Sequence, residues 1–392
     1  MKHNPFLSRE ANTVADTETL RSRLAMSTSL APRLVSGDAY YDTATLLEVV
    51  YAPQNQPGLD GFWLRWYPTA VNSQQEKILF DDVDLNEYRL APFVAPNVQG
   101  RILRSKGYST RSFRPAYVKP KHEVDPGRAI PRLAGERLLG ELSLEQRYDA
   151  IIADNIRRER AMIENRWDWM ACQGLVQGHV DVAGEDYPTV RVDFMRDPRL
   201  TNILTGTAKW DQATATVMPS INRMRLLSFQ LSRAPVTTLV FGLDAWAAFL
   251  LPFHQDVRDL LNAQRFGNES LFNANNVATG APYAYQGHIV GTGGVGKLEL
   301  WTYANFYEDM DTGVATPYMD PGLVVGLGDA VQGVQCFGAI KDRRASLQSL
   351  AIFPKMWDEE DPSVTYTMSQ SAPLPIPVRA NNTFAMKVVG SA

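Results

Sequence analysis

The longest stretch of helical periodicity in the chain runs from residue 143 to residue 174. Apolar side chains recur there at intervals of three and four residues, which places them on one face of a helix. These side chains are Leu144, Tyr148, Ile151, Ile152, Ile156, Met162, Ile163, Trp167 and Met170. Ser143 and Gln146 fit a capping box at the start, and Gly174 fits the residue after the last turn. The pattern predicts one uninterrupted helix about 45 Å long, since each residue adds about 1.5 Å.

The charged residues of this stretch indicate how the helix is used. Glu159 and Arg166 lie inside its apolar stripe. The polar residues expected on the opposite face are Asp154, Arg157, Arg160, Glu164 and Asp168. A helix longer than the width of a small domain, with charges inside its apolar stripe, is interpreted as a spine that carries separate lobes.

Shorter patterns predict the remaining elements. Helical spacing predicts helices at 41–52, 217–233, 243–251 and 255–263. Alternating or short apolar runs predict strands at 77–85, 88–94, 179–183, 187–194, 237–241, 288–290, 298–303, 323–327 and 335–340, with further strand-like runs between 347 and 389. The runs on either side of residues 184–186 are expected to form a hairpin, and 335–340 is expected to continue the sheet of 323–327. Because helix, strand and helix alternate after residue 217, a compact α/β lobe is expected within an α+β fold.

The segment 96–136 is rich in arginine, lysine and proline but poor in apolar residues. Residues 99–105 and 109–118 can pair as a long hairpin across the turn 106–108. A two-stranded ribbon is only marginally stable alone, so the segment is expected to be an arm that lies on another subunit. The residues expected to make that contact are Arg101, Arg104, Lys106, Arg111, Arg114, Lys119 and Lys121.

Composition favours a protein partner for this segment. A solvated charged face and nucleic-acid binding are the alternatives, the latter because Tyr108, Phe113 and Tyr117 interleave with the arginines. The 392-residue chain has a net charge of −4, whereas free nucleic-acid binders normally carry a basic excess. Cys172 and Cys336 lack metal-ligand spacing and are expected to be buried thiols of a reducing compartment. No signal peptide and no membrane-spanning run is recognised, so no membrane contact is expected.

One motif imitates a phosphate-binding loop. Residues 291–298 (GTGGVGKL) satisfy the pattern GxxxxGK. However, Leu298 occupies the position where a hydroxyl would hold magnesium, and the run 298–303 alternates like a strand. A true phosphate loop needs a helix there, because the helix N-terminus faces the phosphate. A glycine-rich hairpin loop is the preferred interpretation, with a nucleotide-binding protein as an alternative.

No arrangement of residues predicts catalysis, a metal site or a cofactor. His122, Glu123 and Asp125 do not have the spacing of metal ligands. The acidic clusters at 81–84 and 358–361 lack the central glycine and final glutamate of a calcium loop. No nucleophile motif is present either. The chain is therefore expected to be structural and not an enzyme.

Several blocks of the sequence resemble the lambda-like major capsid proteins of tailed bacteriophages. The blocks are 114–126 (RPAYVKPKHEVDP), 131–133 (PRL), 184–185 (GE), 353–357 (FPKMW), 361–362 (DP) and 368–374 (MSQSAPL). They follow the order of the family, and a turn-rich run such as VKPKHEV is not imposed by any secondary structure. Residues 200–330 resemble the family only in layout, and residues 1–75 do not match it.

The resemblance implies the major capsid fold of tailed phages and herpesviruses. Its implied parts are an N-terminal arm with lead-in at 1–75, peripheral-domain strands at 76–95, an extended E-loop at 96–136, a peripheral domain with the spine helix at 137–199, an axial α/β domain at 200–330 and a return to the peripheral-domain sheet at 331–392.

The same resemblance implies a function. Copies of the chain would assemble as hexamers and pentamers into an icosahedral shell, in the cytoplasm of a bacterial host, and become the virion capsid. The shell would enclose packaged double-stranded DNA without sequence-specific binding. Implied partners are other copies of the chain, a scaffold, a maturation protease, a portal and, in many relatives, a trimeric decoration protein. Another phage ring or tube protein is the alternative.

Overall fold

The architecture comes from a computed structural model of the chain. The described residues are 46–47, 49–50, 61–74, 77–82, 99, 109–131, 143–184, 187–251, 254, 257, 282–289, 297–310, 312–345, 348–361 and 363–390. Residues 1–45 of the expected N-terminal arm and lead-in, the expected strand at 88–94 and the glycine-rich residues 291–296 lie outside them. The expected helices at 41–52 and 255–263 are described at only a few residues, which are helical at Leu46, Leu47, Val49, Val50 and Val257.

The described elements alternate between helices and many short strands. The helices are α1 (Leu144–Gln177), α2 (Val217–Ser232) and α3 (Leu243–Phe249). The strands are β1 (Thr69–Asn72), β2 (Ile78–Asp82), β3 (Ser109–Phe113), β4 (Lys121–Val124), β5 (His179–Gly184), β6 (Tyr187–Asp193), β7 (Thr201–Ile203), β8 (Thr238–Phe241), β9 (Tyr283–Ile289), β10 (Leu298–Tyr303), β11 (Phe306–Glu308), β12 (Ala315–Pro317), β13 (Leu323–Leu327), β14 (Val334–Phe337), β15 (Phe353–Glu359), β16 (Val364–Gln370), β17 (Pro373–Ile376) and β18 (Thr383–Lys387).

Helix α1 is the predicted long helix, and it begins as predicted. The Ser143 hydroxyl accepts the Gln146 N–H, and the Gln146 side chain accepts the Ser143 N–H, which completes the capping box. The expected end at Gly174 is wrong, because Gly178 is the residue that takes the left-handed conformation, with φ of 77°. Gly174 lies inside the helix, where a Cβ would come within 3.1 Å of the Tyr67 hydroxyl. Its glycine serves close packing and does not end the helix.

The two halves of α1 are buried in different cores. In the first half, Ile152 and Ile156 pack with Val124 of β4. In the second half, Leu175 packs in another cluster with Val325 of β13. Burial of one long helix in two cores joins them mechanically, as expected of a spine. None of the helices in the described part of the chain is long and apolar enough to cross a membrane.

The α/β lobe is built on a six-stranded sheet with the order β7-β18-β13-β8-β10-β9. Strands β7 and β18 are parallel, as are β8 and β10, and the other neighbours are antiparallel. Helices α2 and α3 cover this sheet, with Ile221 and Phe249 buried against Leu239 of β8 and Phe384 of β18. The predicted succession of helix, strand and helix after residue 217 is confirmed.

Two late strands lie in different sheets from those expected. Strand β14 was expected to continue the sheet of β13, but it lies between β1 and β17 in a separate three-stranded sheet. Strand β18, expected in the sheets beside the spine, instead lies inside the six-stranded sheet between β7 and β13. The first four residues of β18 are all buried, and a strand buried on both faces is stable only in the interior of a covered sheet.

A second three-stranded sheet, with the order β15-β16-β4, lies beside the first half of α1. In its register His122 pairs with Thr367, and Lys121 pairs with Met368. The predicted hairpin after the spine is confirmed as β5 and β6, which are antiparallel. The spine is thus flanked by a sheet near its start and a hairpin at its end.

Strand β3 is antiparallel to β2, with Ile78 opposite Phe113 and Asp82 opposite Ser109. The partner expected for residues 109–118, the segment 99–105, lies outside the described residues except for Gln99. Ile78 is buried and Phe113 packs against the same cluster, which anchors this pair of strands to the core. Residues 83–108, which connect the two strands in sequence, lie outside the described residues except for Gln99.

Candidate functional site

The basic residues singled out from the sequence are spread over several elements. Arg101, Arg104 and Lys106 lie outside the described residues. Arg111 is in β3, and Arg114 is exposed just after that strand. The structure therefore places the described members on separate elements and does not gather them into one cluster.

Lys119 and Lys121 contact aromatic rings of their own chain. The Lys119 ammonium lies 5.1 Å from the centre of the Tyr117 ring. The Lys121 ammonium lies 3.5 Å from the centre of the Tyr366 ring, on the neighbouring strand β16. Such cation–π contacts fix the side chains on the surface of the β15-β16-β4 sheet. Lys121 thus belongs to the sheet beside the spine, although the E-loop was expected to extend to residue 136.

A buried carboxylate ties the spine to this sheet. Glu159 of α1 has no exposed surface, and its two oxygens accept the hydroxyls of Thr367 and Ser369, each at 2.7 Å. The Nδ1 atom of His122, in β4, lies 3.2 Å from Glu159 Oε1. Burial raises the pKa of Glu159, while the hydrogen bonds from Ser369, Thr367 and His122 oppose that shift. Three residues from two strands therefore hold one point of the helix.

A second buried carboxylate, Asp168, lies nine residues further along α1. It was expected on the polar face, but it is buried, because the turn Trp63–Trp66 packs over it. Its Oδ1 accepts the backbone N–H of Trp63 at 2.8 Å. Burial raises the pKa of Asp168 to about 6, although the backbone N–H groups of Trp63 and Leu64 lower it. Asp168 thus fixes the turn Trp63–Trp66 to the spine.

The Asp168→Asn variant is expected to show a stability difference that grows with pH. The folded-state pKa of about 6 exceeds the ordinary value of 3.8, so this group stabilises the fold most below pH 4, and the contribution is lost as pH rises through 6. Asn keeps an acceptor for Trp63 without the buried charge. Relative to wild type, its free energy of unfolding should rise by up to about 3 kcal/mol between pH 4 and pH 7. Urea unfolding across this range measures the difference.

The matched control is Asp154→Asn on the exposed side of the same helix. Asp154 is an exposed partner of Arg158, so its substitution should give a nearly constant difference from wild type. An equal pH dependence in wild type and Asp168→Asn would show that the buried carboxyl does not titrate as described.

The C-terminal end of the spine is held by a buried arginine. Arg196 donates from Nη1 to the Leu175 carbonyl and from Nη2 to the Val176 carbonyl, both at 2.8 Å. These carbonyls belong to the last turn, where helix carbonyls have no partner within the helix. Burial lowers the pKa of Arg196 to about 10, so it remains charged at neutral pH. Its guanidinium also complements the negative end of the helix dipole.

The other chemical candidates from the sequence lack a matching geometry. Lys297 pairs with Glu299 at 3.0 Å, and Leu298 begins strand β10, where a phosphate loop would require a helix. Cys172 and Cys336 are buried free thiols, as expected, and burial raises the pKa of both. Among the described residues, no group of three or more His, Cys, Asp or Glu side chains could hold a metal ion.

The comparisons with known proteins agree with a capsid function. The family Phage major capsid protein E matches residues 42–388 of the chain. The major capsid protein of Enterobacteria phage P21 is 29% identical over 314 residues, which are 79% of this chain and 88% of that protein. The major capsid protein of Escherichia phage lambda is 27% identical over 339 residues, which are 85% of this chain and 95% of that protein.

A solved structure supports the fold. The crystal structure of a prophage capsid protein from Escherichia coli CFT073 aligns with a TM-score of 0.64 and 24% identity, covering 90% of this chain and all of that one. The mixed α+β architecture is therefore that of a phage capsid protein. Since its family matches nearly the whole chain, the protein belongs to the phage major capsid protein E family, whose members are non-enzymatic virion proteins that assemble with copies of themselves into an icosahedral shell.

Proposed function

We propose that the chain builds its shell as hexamers and pentamers in which an extended loop of each copy lies on its neighbour. The observation that carries this proposal is the antiparallel pair of β2 and β3, from whose end the chain runs for 26 residues before it returns. At about 3.3 Å per residue, two extended halves of such an excursion reach about 40 Å from the body. That distance is sufficient to span a neighbouring subunit.

The division of the chain follows from the same proposal. Residues 1–75 serve as the N-terminal arm and lead-in, the spine and its sheet form the peripheral domain, and the six-stranded sheet with α2 and α3 forms the axial domain. The extended loop is rooted at β2 and β3, and β4 belongs to the peripheral domain because it pairs with β16. The final strand β18 serves the axial domain.

The arm's basic residues need acidic partners on the neighbour, and the structure limits the choice on the spine. Glu159 and Asp168 are buried in their own chain and are unavailable to an arm. Asp154 and Glu164 already pair with arginines of the same helix. The partners of Arg101, Arg104, Lys106, Arg111 and Arg114 are therefore sought among the remaining spine carboxylates, such as the exposed Glu145, and on other surfaces. Desolvated bidentate contacts would contribute more there than exposed ones.

The shell interior is proposed to enclose packaged double-stranded DNA without sequence-specific binding. The net charge of −4 supports this, because a strongly basic lining would hold the DNA against packaging and ejection. A scaffold, a maturation protease, a portal and a trimeric decoration protein are the other partners proposed, on the basis of the family resemblance.

Negative-stain electron microscopy of the purified chain tests the proposal. Expressed with and without the scaffold of its phage, the protein is expected to form closed polyhedral shells. The alternative, a ring or tube protein, predicts open rings or tubes under the same conditions. The absence of closed shells in both preparations, with or without rings or tubes, would contradict the proposed assembly.

A further inference from the structure

The small hairpin formed by β11 and β12 presents an apolar face to the outside. Residues Phe306 and Pro317 are cross-strand neighbours, as are Glu308 and Ala315, and all four are exposed. Phe306 is 63% exposed, and Met310 and Val314 in the turn are 84% and 58% exposed. The outer face of a sheet in water is normally polar. An apolar outer face on a ribbon of two strands indicates a surface that is covered by another molecule.

The inner face of the same hairpin is firmly held. Tyr307 packs edge-on against Trp169 of the spine, with ring centres 6.4 Å apart, and against Tyr318 at 5.7 Å. The Tyr318 hydroxyl donates to the Asn165 carbonyl of the spine at 3.3 Å. The hairpin is therefore positioned by the spine, and its exposed face is a fixed feature of the fold.

The hairpin also offers a carboxylate to a basic arm. Glu308 is exposed on the outer face, beside the apolar residues. The extended loop carries Arg101, Arg104 and Lys106. Basic side chains with long aliphatic stems can cover apolar surface while their charged ends reach a carboxylate. The outer face and the loop are thus complementary in apolar surface and in charge.

Space for a chain segment exists next to the hairpin. A groove of about 1440 Å³ runs between the hairpin residues 304–310, the spine and the segment 116–122. The groove is continuous with the exposed face, so a segment lying in it would reach Phe306 and Met310. Lys119 and Lys121 also line the groove, and their positive charge would repel basic residues. A basic loop is therefore expected to contact the side of the groove formed by the hairpin, which carries Glu308.

We propose that the outer face of the β11–β12 hairpin is the acceptor for residues 100–108 of a second copy of this chain. This inference rests on the proposed function, in which the loop crosses to a neighbour. It adds the surface that receives the loop: the apolar residues Phe306, Met310 and Val314 pack against the loop, and Glu308 pairs with one of its basic side chains.

Site-specific photo-crosslinking in assembled shells tests the contact. Benzoylphenylalanine replaces Met310 in one preparation and Val314 in a second, and each is assembled with isotopically heavy wild-type chain. Mass spectrometry is expected to find crosslinks from these positions to heavy peptides that contain residues 100–108. Crosslinks only within one copy, or only to other segments of a neighbour, would overturn the inference.

Substitutions give an independent readout. Met310→Lys should lower the yield of shells at least about tenfold, because a lysine would be buried against apolar residues in a contact repeated throughout the shell. Met310→Leu is the matched control and should assemble as wild type does. Normal assembly of Met310→Lys would contradict the inference while leaving the proposed function intact. If wild-type chain forms no shells, the proposed function and this inference both fail.

Discussion

Changing Arg111 and Arg114 together to Glu is expected to abolish closed shells while leaving a folded, soluble chain. Arg111 lies in β3 and Arg114 lies just after it, at the end of the proposed extended loop. A single exposed ion pair contributes only about 0–1 kcal/mol. The double reversal, however, turns attraction into repulsion at every copy, and each copy is held by several neighbours at once. Electron microscopy and sedimentation of the assembly mixture measure the loss.

The matched control for this variant is Arg158→Glu. Arg158 is an exposed arginine that pairs with Asp154 on the spine of its own chain. This change should lower stability slightly and leave shell formation in place. Thermal unfolding of both variants confirms that each chain is folded. Normal shells from the Arg111 and Arg114 double variant would reject the role assigned to the arm.

Changing Glu159 to Ala is expected to destabilise the fold by roughly 3 kcal/mol. The substitution leaves the hydroxyls of Thr367 and Ser369 without their acceptor in a region closed to water, and it opens a cavity between α1 and β16. Removal of a buried charge offsets part of this loss, since burial of the carboxylate itself is costly. Urea unfolding of the unassembled chain measures the change.

Two further variants separate the causes of this effect. Glu159→Gln keeps an acceptor at the same place and should retain most of the stability. Burial raises the pKa of Glu159 above its ordinary 4.5, so the stability due to this group is greatest in acid and falls as pH rises above 4.5; Gln removes that component. Glu164→Ala, which breaks a pair with Arg160 one turn later, should cost about 1 kcal/mol or less. Equal losses of unfolding free energy from Glu159→Ala and Glu164→Ala would contradict a special role of Glu159 in holding the helix to the sheet.

The spine was predictable because its signals are local. The capping box at Ser143 involves residues three positions apart, and the apolar stripe repeats with the period of the helix itself. The helical and strand patterns around α2, β8 and α3 were equally local and were confirmed. The end of the spine was misplaced, because Gly174 and Gly178 look alike in sequence and only packing against Tyr67 and Phe194 distinguishes them.

Features that depend on distant partners could not be read from the sequence. Glu159 was found inside the apolar stripe, but its partners Thr367 and Ser369 lie more than 200 residues away. Asp168 falls on the polar side of the helix and is buried only because Trp63 packs there. The pairing of β3 with β2 was not predicted, because it depends on the core that holds Ile78.

The β11–β12 hairpin was missed altogether. Its only signal in the sequence is the alternate spacing of Phe306, Glu308 and Met310. This run is too short to predict a strand or to identify the strand that pairs with it. The exposure of its apolar residues can be recognised only when the structure shows which face of the hairpin packs against the spine. The sequence pattern therefore gives little information on assembly residues, because their neighbours lie in distant parts of the chain or in other copies.

A cryo-electron-microscopy reconstruction of shells made from this chain shows directly where the loop lies. We expect residues 83–108 of each copy to leave the pair β2–β3, extend away from their own body and lie on the adjacent copy. Density showing those residues folded back on the subunit that carries them, with no crossing between copies, would contradict this expectation.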